Sequence, residues 1–307
     1  MPFFKKRKRL PLEISHKANI IIIIVLGILA FICLYPIVFL FMISISSENS
    51  IILHGYQFIP AAFSLNAYAY VFKIGSQLLQ SYMITIIVTV VGTAFSVFIS
   101  SLYAYAISRD DFRYKKLFVF IALIPMLFTA GLVPSYMVNT QLLGFRNSLL
   151  GLIVPIAVNS LYIFILRTYF RTSVPTALIE AARIDGAGEF RIFYKIVVPL
   201  AMPGIATVAL LTAFTYWGNN WYNALLYIDT PSLTPVQAML MNIQNNMQFI
   251  VQNASSLSGQ AATVLKNMPT STARMAIVIL ATIPIIFAYP FFQKYMVKGL
   301  SIGGVKD

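Results

Sequence analysis

Tyr216-Trp217-Gly218-Asn219-Asn220-Trp221-Tyr222-Asn223 gathers two indoles, two phenols and three carboxamides into one short stretch. Aromatic faces stack on sugar rings, and amides both donate to and accept from hydroxyls. The set therefore has the chemistry to hold a neutral, hydroxyl-rich ligand, with Trp217, Asn219, Asn220, Trp221 and Asn223 as the candidate contacts. Trp217, Asn220 and Trp221 share a helical face, because residues three and four apart are neighbours. The same residues also suit an interfacial aromatic belt with amide contacts between helices. Both readings stand at the level of composition.

A second unusual stretch is Glu180-Ala181-Ala182-Arg183-Ile184-Asp185-Gly186-Ala187-Gly188-Glu189. Ser173-Val174-Pro175 offers an N-cap and a proline, a good helix start. Ala177 to Asp185 forms helix readily, and Gly186 ends it by accepting a left-handed backbone. Gly188 to Val198 then reads as a second short helix, closed by Pro199. The result is a helix–turn–helix elbow whose alanines permit close approach by a partner. An amphipathic helix resting on lipid is the other reading, although the mixed sign of Glu180, Arg183, Asp185, Glu189 and Arg191 fits it poorly.

Other chemistry is missing from the sequence. It contains no G-x-x-x-x-G-K-[ST] phosphate loop, no H-E-x-x-H and no G-x-S-x-G. His16 and His54 are isolated, and Cys33 is alone, so neither a metal site nor an intramolecular disulfide is expected. The chain is read as non-catalytic, with no cofactor of its own.

The elements that must carry these stretches are membrane helices. The 307 residues are 59% hydrophobic and 10% charged, whereas soluble domains carry about 25% charged residues. Six spans are expected near 19–46, 80–107, 116–139, 147–170, 201–228 and 274–293. They follow a basic N-terminus (1–18) and precede a tail (294–307). An outer loop occupies 47–79, and the core of 80–293 holds the elbow region 171–200 and an amide-rich loop at 229–273. Lys5-Lys6-Arg7-Lys8-Arg9 precedes an apolar run too long for a signal peptide, so the first span is expected to remain uncleaved. The net charge of +13 follows topology, not a nucleic-acid surface. Only Lys73, Arg146, Lys266 and Arg274 fall on one side of the six spans, and every other Lys and Arg falls on the other. The positive-inside rule thus puts both termini and the elbow in the cytoplasm. No ionisable residue sits deep in a span, which weighs against a proton antiporter or a voltage-sensing channel and leaves open a sodium site built from carbonyls.

Glu180-Ala181-Ala182, three residues, Gly186, nine residues, then Ile196-Val197-Val198-Pro199 resembles the E-A-A-x3-G-x9-I-x-L-P signature of ABC importer permeases. Val198 stands where that signature has Leu. Arg274-Met275-Ala276, Tyr289-Pro290-Phe291-Phe292-Gln293-Lys294-Tyr295 and Lys298-Gly299-Leu300-Ser301-Ile302-Gly303-Gly304 resemble carbohydrate-uptake permeases of the MalG and LplC type. The likeness runs from about residue 65 onward. It implies an all-α, polytopic, six-span type I importer fold in a bacterial cell membrane. It implies a coupling helix in which Glu180, Ala181, Ala182, Asp185, Gly186, Ile196 and Pro199 meet a separate ATPase. The implied partners are a second, homologous permease, two ATPase subunits that use ATP and Mg, an outer solute-binding protein, an oligosaccharide and the lipid bilayer. No nucleic acid is implied. A permease of this architecture for another polar solute, or else a secondary transporter, is the alternative.

Overall fold

The computed structural model describes residues 15–73, 75–252 and 270–303. Its elements are helical, and a lone bridge pairs Ser46 with Phe63. The described residues fall into two compact units. One comprises the residues up to Val71 together with 270–279. The other comprises Phe72 to Gln252 and the last helix from Leu280.

In the first unit, α1 (His16–Ser44) is long and apolar enough to cross a bilayer. Its best 18-residue window is wholly unburied within the chain, as a lipid-facing helix requires. Tyr35 and Phe39 stack on Phe58 at 5.5 and 6.3 Å between ring centroids. The short helices α2 (Glu48–His54) and α3 (Asn66–Lys73) follow. The Glu48 carboxylate accepts from the backbone N–H groups of Ser271 and Thr272, both at 2.9 Å. It thereby caps the start of the last helix, where unpaired N–H groups and the helix dipole favour an anion.

In the second unit, α4 (Gly75–Ser108) is the central post. Among its buried residues, Leu78, Ser81, Thr85, Val88, Gly92, Ser96, Ser100, Ala104 and Ile107 recur every three or four positions, with Ser101 and Tyr105 beside the stripe. Most are small, and small residues let membrane helices approach closely. Against this stripe pack α8 (Ser160–Ser173) and α12 (Met202–Tyr227). A Cβ on Gly92 would lie 2.5 Å from Cε1 of Tyr216, so that contact requires glycine. The Tyr216 hydroxyl donates to the Ile153 carbonyl at 2.8 Å, and Ser96 donates to the Ala157 carbonyl. Both bonds satisfy backbone freed where the fourth span breaks between α7 (Leu149–Ile153) and α8.

Three expectations need correction. The third span is not one helix over 116–139. Helix α5 (Lys115–Leu127) ends, Gly131 takes a φ of +81°, and α6 (Leu132–Met137) leaves at a bend of 117°. Secondly, the stretch 229–273 is not simply a loop, since α13 (Val236–Gln252) forms within it and packs on α12 and α4. Its start is tied down where the Val236 N–H donates to Thr85 Oγ1 at 2.8 Å. The middle of that stretch, with the N-terminal basic run and the end of the tail, lies outside the described residues. Thirdly, Pro199 does not close the second arm of the elbow. It sits at the start of α11 (Val198–Leu200), and the chain turns by 83° into α12. The last helix, α14 (Thr270–Gly303), runs unbroken for 34 residues.

Candidate functional site

The elbow is built from α9 (Thr176–Ile184), a turn and α10 (Glu189–Ile192). Pro175, not Ser173, occupies the N-cap position, because Ser173 still belongs to α8. The Gly186 N–H donates to the Arg183 carbonyl and the Ala187 N–H to the Ala182 carbonyl, each at 2.9 Å. This is a Schellman closure, and Gly186 supplies the left-handed residue it needs at φ +76°.

The base of the elbow is buried and its tip is bare. Ile179, Ile192, Phe193 and Val197 join Ala104, Ile107, Ile163, Leu166 and Phe170 in one core. Ile184 is 87% exposed and Phe190 is 71% exposed, with Leu178 also in the open. Glu180, Ala181, Asp185 and Gly186 are exposed beside them, and Ala182 is half-buried. Of the remaining candidates, Ile196 packs partly against the core and Pro199 is exposed at its edge. The first five coupling candidates are thus brought together at the tip, while Ile196 and Pro199 belong to its base.

A ring of charges closes the elbow onto the end of α4. Arg109 grips Asp111 with two bonds, Nε to Oδ1 at 2.8 Å and Nη2 to Oδ2 at 2.9 Å. It also reaches Glu189 at 3.2 Å and the Tyr105 hydroxyl at 2.8 Å. Tyr105 in turn donates to Glu189 at 2.9 Å. Arg183 completes the circuit, meeting Asp111 at 2.7 Å and donating from Nε to Glu189 at 2.9 Å. Arg109 and its neighbouring Arg183 hold the Asp111 carboxyl down at about 2, despite its partial burial. Burial pushes Glu189 upward, but bonds from Arg183 and Tyr105 outweigh it and leave that carboxyl below its ordinary value. For Arg109, burial is likewise outweighed by the bonds to Asp111 and Tyr105, which raise its affinity for the proton. Arg109, Asp111 and Tyr105 were not among the sequence candidates. Their partners on the elbow, Arg183 and Glu189, lie more than seventy residues away in sequence, and the only local signal was a charge cluster immediately after an apolar span.

The aromatic–amide stretch does not form one surface. Trp217 is buried in the bundle, and its indole N–H donates to the Ala281 carbonyl on α14 at 3.0 Å. Asn220 is wholly buried, and neither end of its amide has a hydrogen-bond partner among the described residues. Asn223 is buried with an unpartnered Nδ2, whereas Asn219 is exposed. Trp217 also lines an apolar cleft of about 220 Å³ with Phe214 and Pro284, and Trp221 lines one of about 130 Å³ with Thr234, Asn242 and Asn245 at the α12–α13 joint. Among the described residues, no three His, Cys, Asp or Glu side chains cluster so as to hold a metal ion.

A bundle of apolar and broken helices with an exposed elbow fits a multi-pass membrane protein. The chain belongs to the family described as binding-protein-dependent transport system inner membrane component, which it matches over residues 116–302. It is 36% identical over 279 residues to the polygalacturonan/rhamnogalacturonan transport system permease protein YtcP of Bacillus subtilis, covering 90% of this chain and 94% of that one. It is 32% identical to Protein LplC of the same organism, covering 92% and 93% of the two chains. Among solved structures it is similar, at a TM-score of 0.74 and 32% identity, to a chain of a bacterial ABC transporter involved in the import of the acidic polysaccharide alginate. That likeness covers 92% of this chain and 99% of the other.

Proposed function

We propose that this chain is one of two permease subunits of an ATP-driven importer for oligosaccharides. An outer binding protein delivers the sugar, and two cytoplasmic ATPase subunits drive its passage. In this reading the termini and the elbow face the cytoplasm, in accord with the asymmetry of Lys and Arg.

The observation that carries the reading is the elbow tip. Ile184 and Phe190 stay exposed on a turn fixed by Gly186 and backed by a buried core. Large apolar groups on a rigid, charged surface mark a protein contact. A cleft in an ATPase that receives the tip would move it as the ATPase dimer closes. Energy then enters through Glu180, Ala181, Ala182, Asp185 and Gly186, with Ile196 and Pro199 joining the tip to α12. Hydrolysis occurs on the partner.

The substrate class rests on the relatives' printed cargoes and on the cleft beneath Trp221. That cleft is lined by the Trp221 indole together with Asn242 and Asn245. Stacking and amide bonding suit a saccharide ring. Because α13 supplies those amides, the 229–273 region contributes to the ligand path in this reading.

Reconstitution with its ATPase, second permease and binding protein tests the proposal. ATP-dependent uptake of galacturonan oligosaccharides is expected, with loss of ATPase association and uptake in Gly186→Val. Uptake that proceeds without any ATPase would refute it.

A further inference from the structure

Arg109, Asp111, Arg183 and Glu189 form a closed ring of alternating charge, and the ring joins two segments far apart in sequence. Arg109 and Asp111 follow directly from the end of α4. Arg183 and Glu189 stand on the two arms of the elbow, either side of the Gly186 turn. Arg109 is the hub, since its side chain is 12% exposed while those of Asp111, Arg183 and Glu189 are 41 to 50% exposed. Its five N–H groups are set in a fixed planar fork, and they serve Asp111, Glu189 and Tyr105 at once. Lysine has no such fork.

Open space flanks the ring. A cleft of about 370 Å³ lies on the side of Phe112, Phe190 and Phe193. Another of about 450 Å³ lies on the side of Ser108, Arg171 and Thr176. The exposed part of the elbow therefore meets α4 through the ring, while the apolar core holds only its base. Helix α4 is the post against which α8 and α12 pack along their lengths. A load applied at Ile184 has a short polar route to that post.

We propose that Arg109 is the positioning residue that transmits movement of the elbow into α4, so that ATPase closure reaches the transport path as well as α12. This rests on the coupling role assigned to the elbow. A ring that only stabilised the fold would raise or lower every activity together. A transmitting ring separates ATP use from transport. Surface ion pairs add little to stability individually, but a shared, partly buried Arg that holds Asp111 bidentately and also bonds Glu189 and Tyr105 fixes geometry.

The test compares sugar imported per ATP hydrolysed in the fully reconstituted importer for wild type, Arg109→Met, Arg109→Lys and Glu189→Gln. Complex yield and basal ATP hydrolysis are measured alongside. Arg109→Met is expected to lower the ratio by about tenfold, within the usual range of coupling energies, with yield and basal hydrolysis kept. Arg109→Lys is expected to recover part of the ratio, and Glu189→Gln to lower it less than Met does. An unchanged ratio in Arg109→Met, or a fall in ratio matched by equal falls in yield and basal hydrolysis, overturns the proposal. If Arg109→Met does not assemble, an unchanged ratio in Glu189→Gln overturns it equally. A wild-type importer that shows no ATP-coupled uptake would instead sink the coupling reading itself.

Discussion

Arg183 and Glu189 stand on opposite sides of the Gly186 turn, and the Arg183 Nε donates to the Glu189 carboxylate at 2.9 Å. The pair braces the two arms of the elbow, and Arg109 ties the brace to α4 at 3.2 Å. The two arms of the elbow and the segment after α4 are thereby held in one charged network.

Gly186 is the first point at which this bracing is open to test. Nothing lies within 4 Å of where its Cβ would be, so a side chain there meets no clash. The cost of substitution comes from its φ of +76°, about 1–3 kcal/mol for an ordinary residue. We predict that Gly186→Asn keeps most ATPase association, because Asn tolerates this backbone, while Gly186→Val loses it. Co-purification with the ATPase distinguishes the two. Equal binding by both variants would show that the turn's conformation is immaterial.

Acid should loosen the ring in a defined window. Asp111 is lowered from 3.8 to about 2, so its ion pairs are fully formed above the unfolded value and are lost as pH falls through the folded one. Thermal stability in detergent is therefore expected to owe nothing to Asp111 titration above about pH 5. Below that, Asp111→Asn should show a shallower acid decline than wild type. Identical acid profiles would contradict the assigned pairing.

The elbow and the membrane class were legible in the sequence because their signals are local. The E-A-A spacing, Gly186 and the apolar runs each act within a few turns. The break at Gly131 was not legible, although Pro125, Gly131 and Pro134 cluster there, because apolar content continues across it and hydropathy does not register direction. The ring was illegible for a different reason. Arg109 and Glu189 meet only after α4, α8 and the elbow have packed, and long-range ion pairs leave no periodic trace. The aromatic–amide stretch was placed on one helix, but helical phase alone did not show that α14 takes Trp217 and the bundle interior takes Asn220.

Asn220 gives a prediction that separates stability from transport. A buried amide without partners costs about 1–3 kcal/mol, and Asn220 is fully buried with both ends unpaired among the described residues. We predict that Asn220→Leu raises thermal stability while lowering uptake, as expected of a group kept for use in another conformation. Asn219→Ala, at an exposed position, should change stability little. A loss of stability in Asn220→Leu would mean that the amide is satisfied in the native bundle.

The contact of Gly92 with Tyr216 sets the spacing of α4 and α12. A Cβ at 2.5 Å from the ring forces a shift, and overpacking of this kind costs about 1–3 kcal/mol. Gly92→Ala is expected to lower the melting temperature of the purified chain. Pairing it with Tyr216→Leu should recover part of that loss, whereas strictly additive losses would place the strain elsewhere.

In the proposed importer a separate ATPase grips the elbow tip. Replacing the lone Cys33 with Ser and introducing Ile184→Cys places a single thiol at the most exposed apolar point of the turn. In the active, reconstituted importer, a short thiol-reactive photocrosslinker at Ile184→Cys is predicted to join this chain to the ATPase subunit, with ATP changing the yield. An importer that transports normally while residue 184 crosslinks only to lipid would show that no ATPase holds the elbow tip.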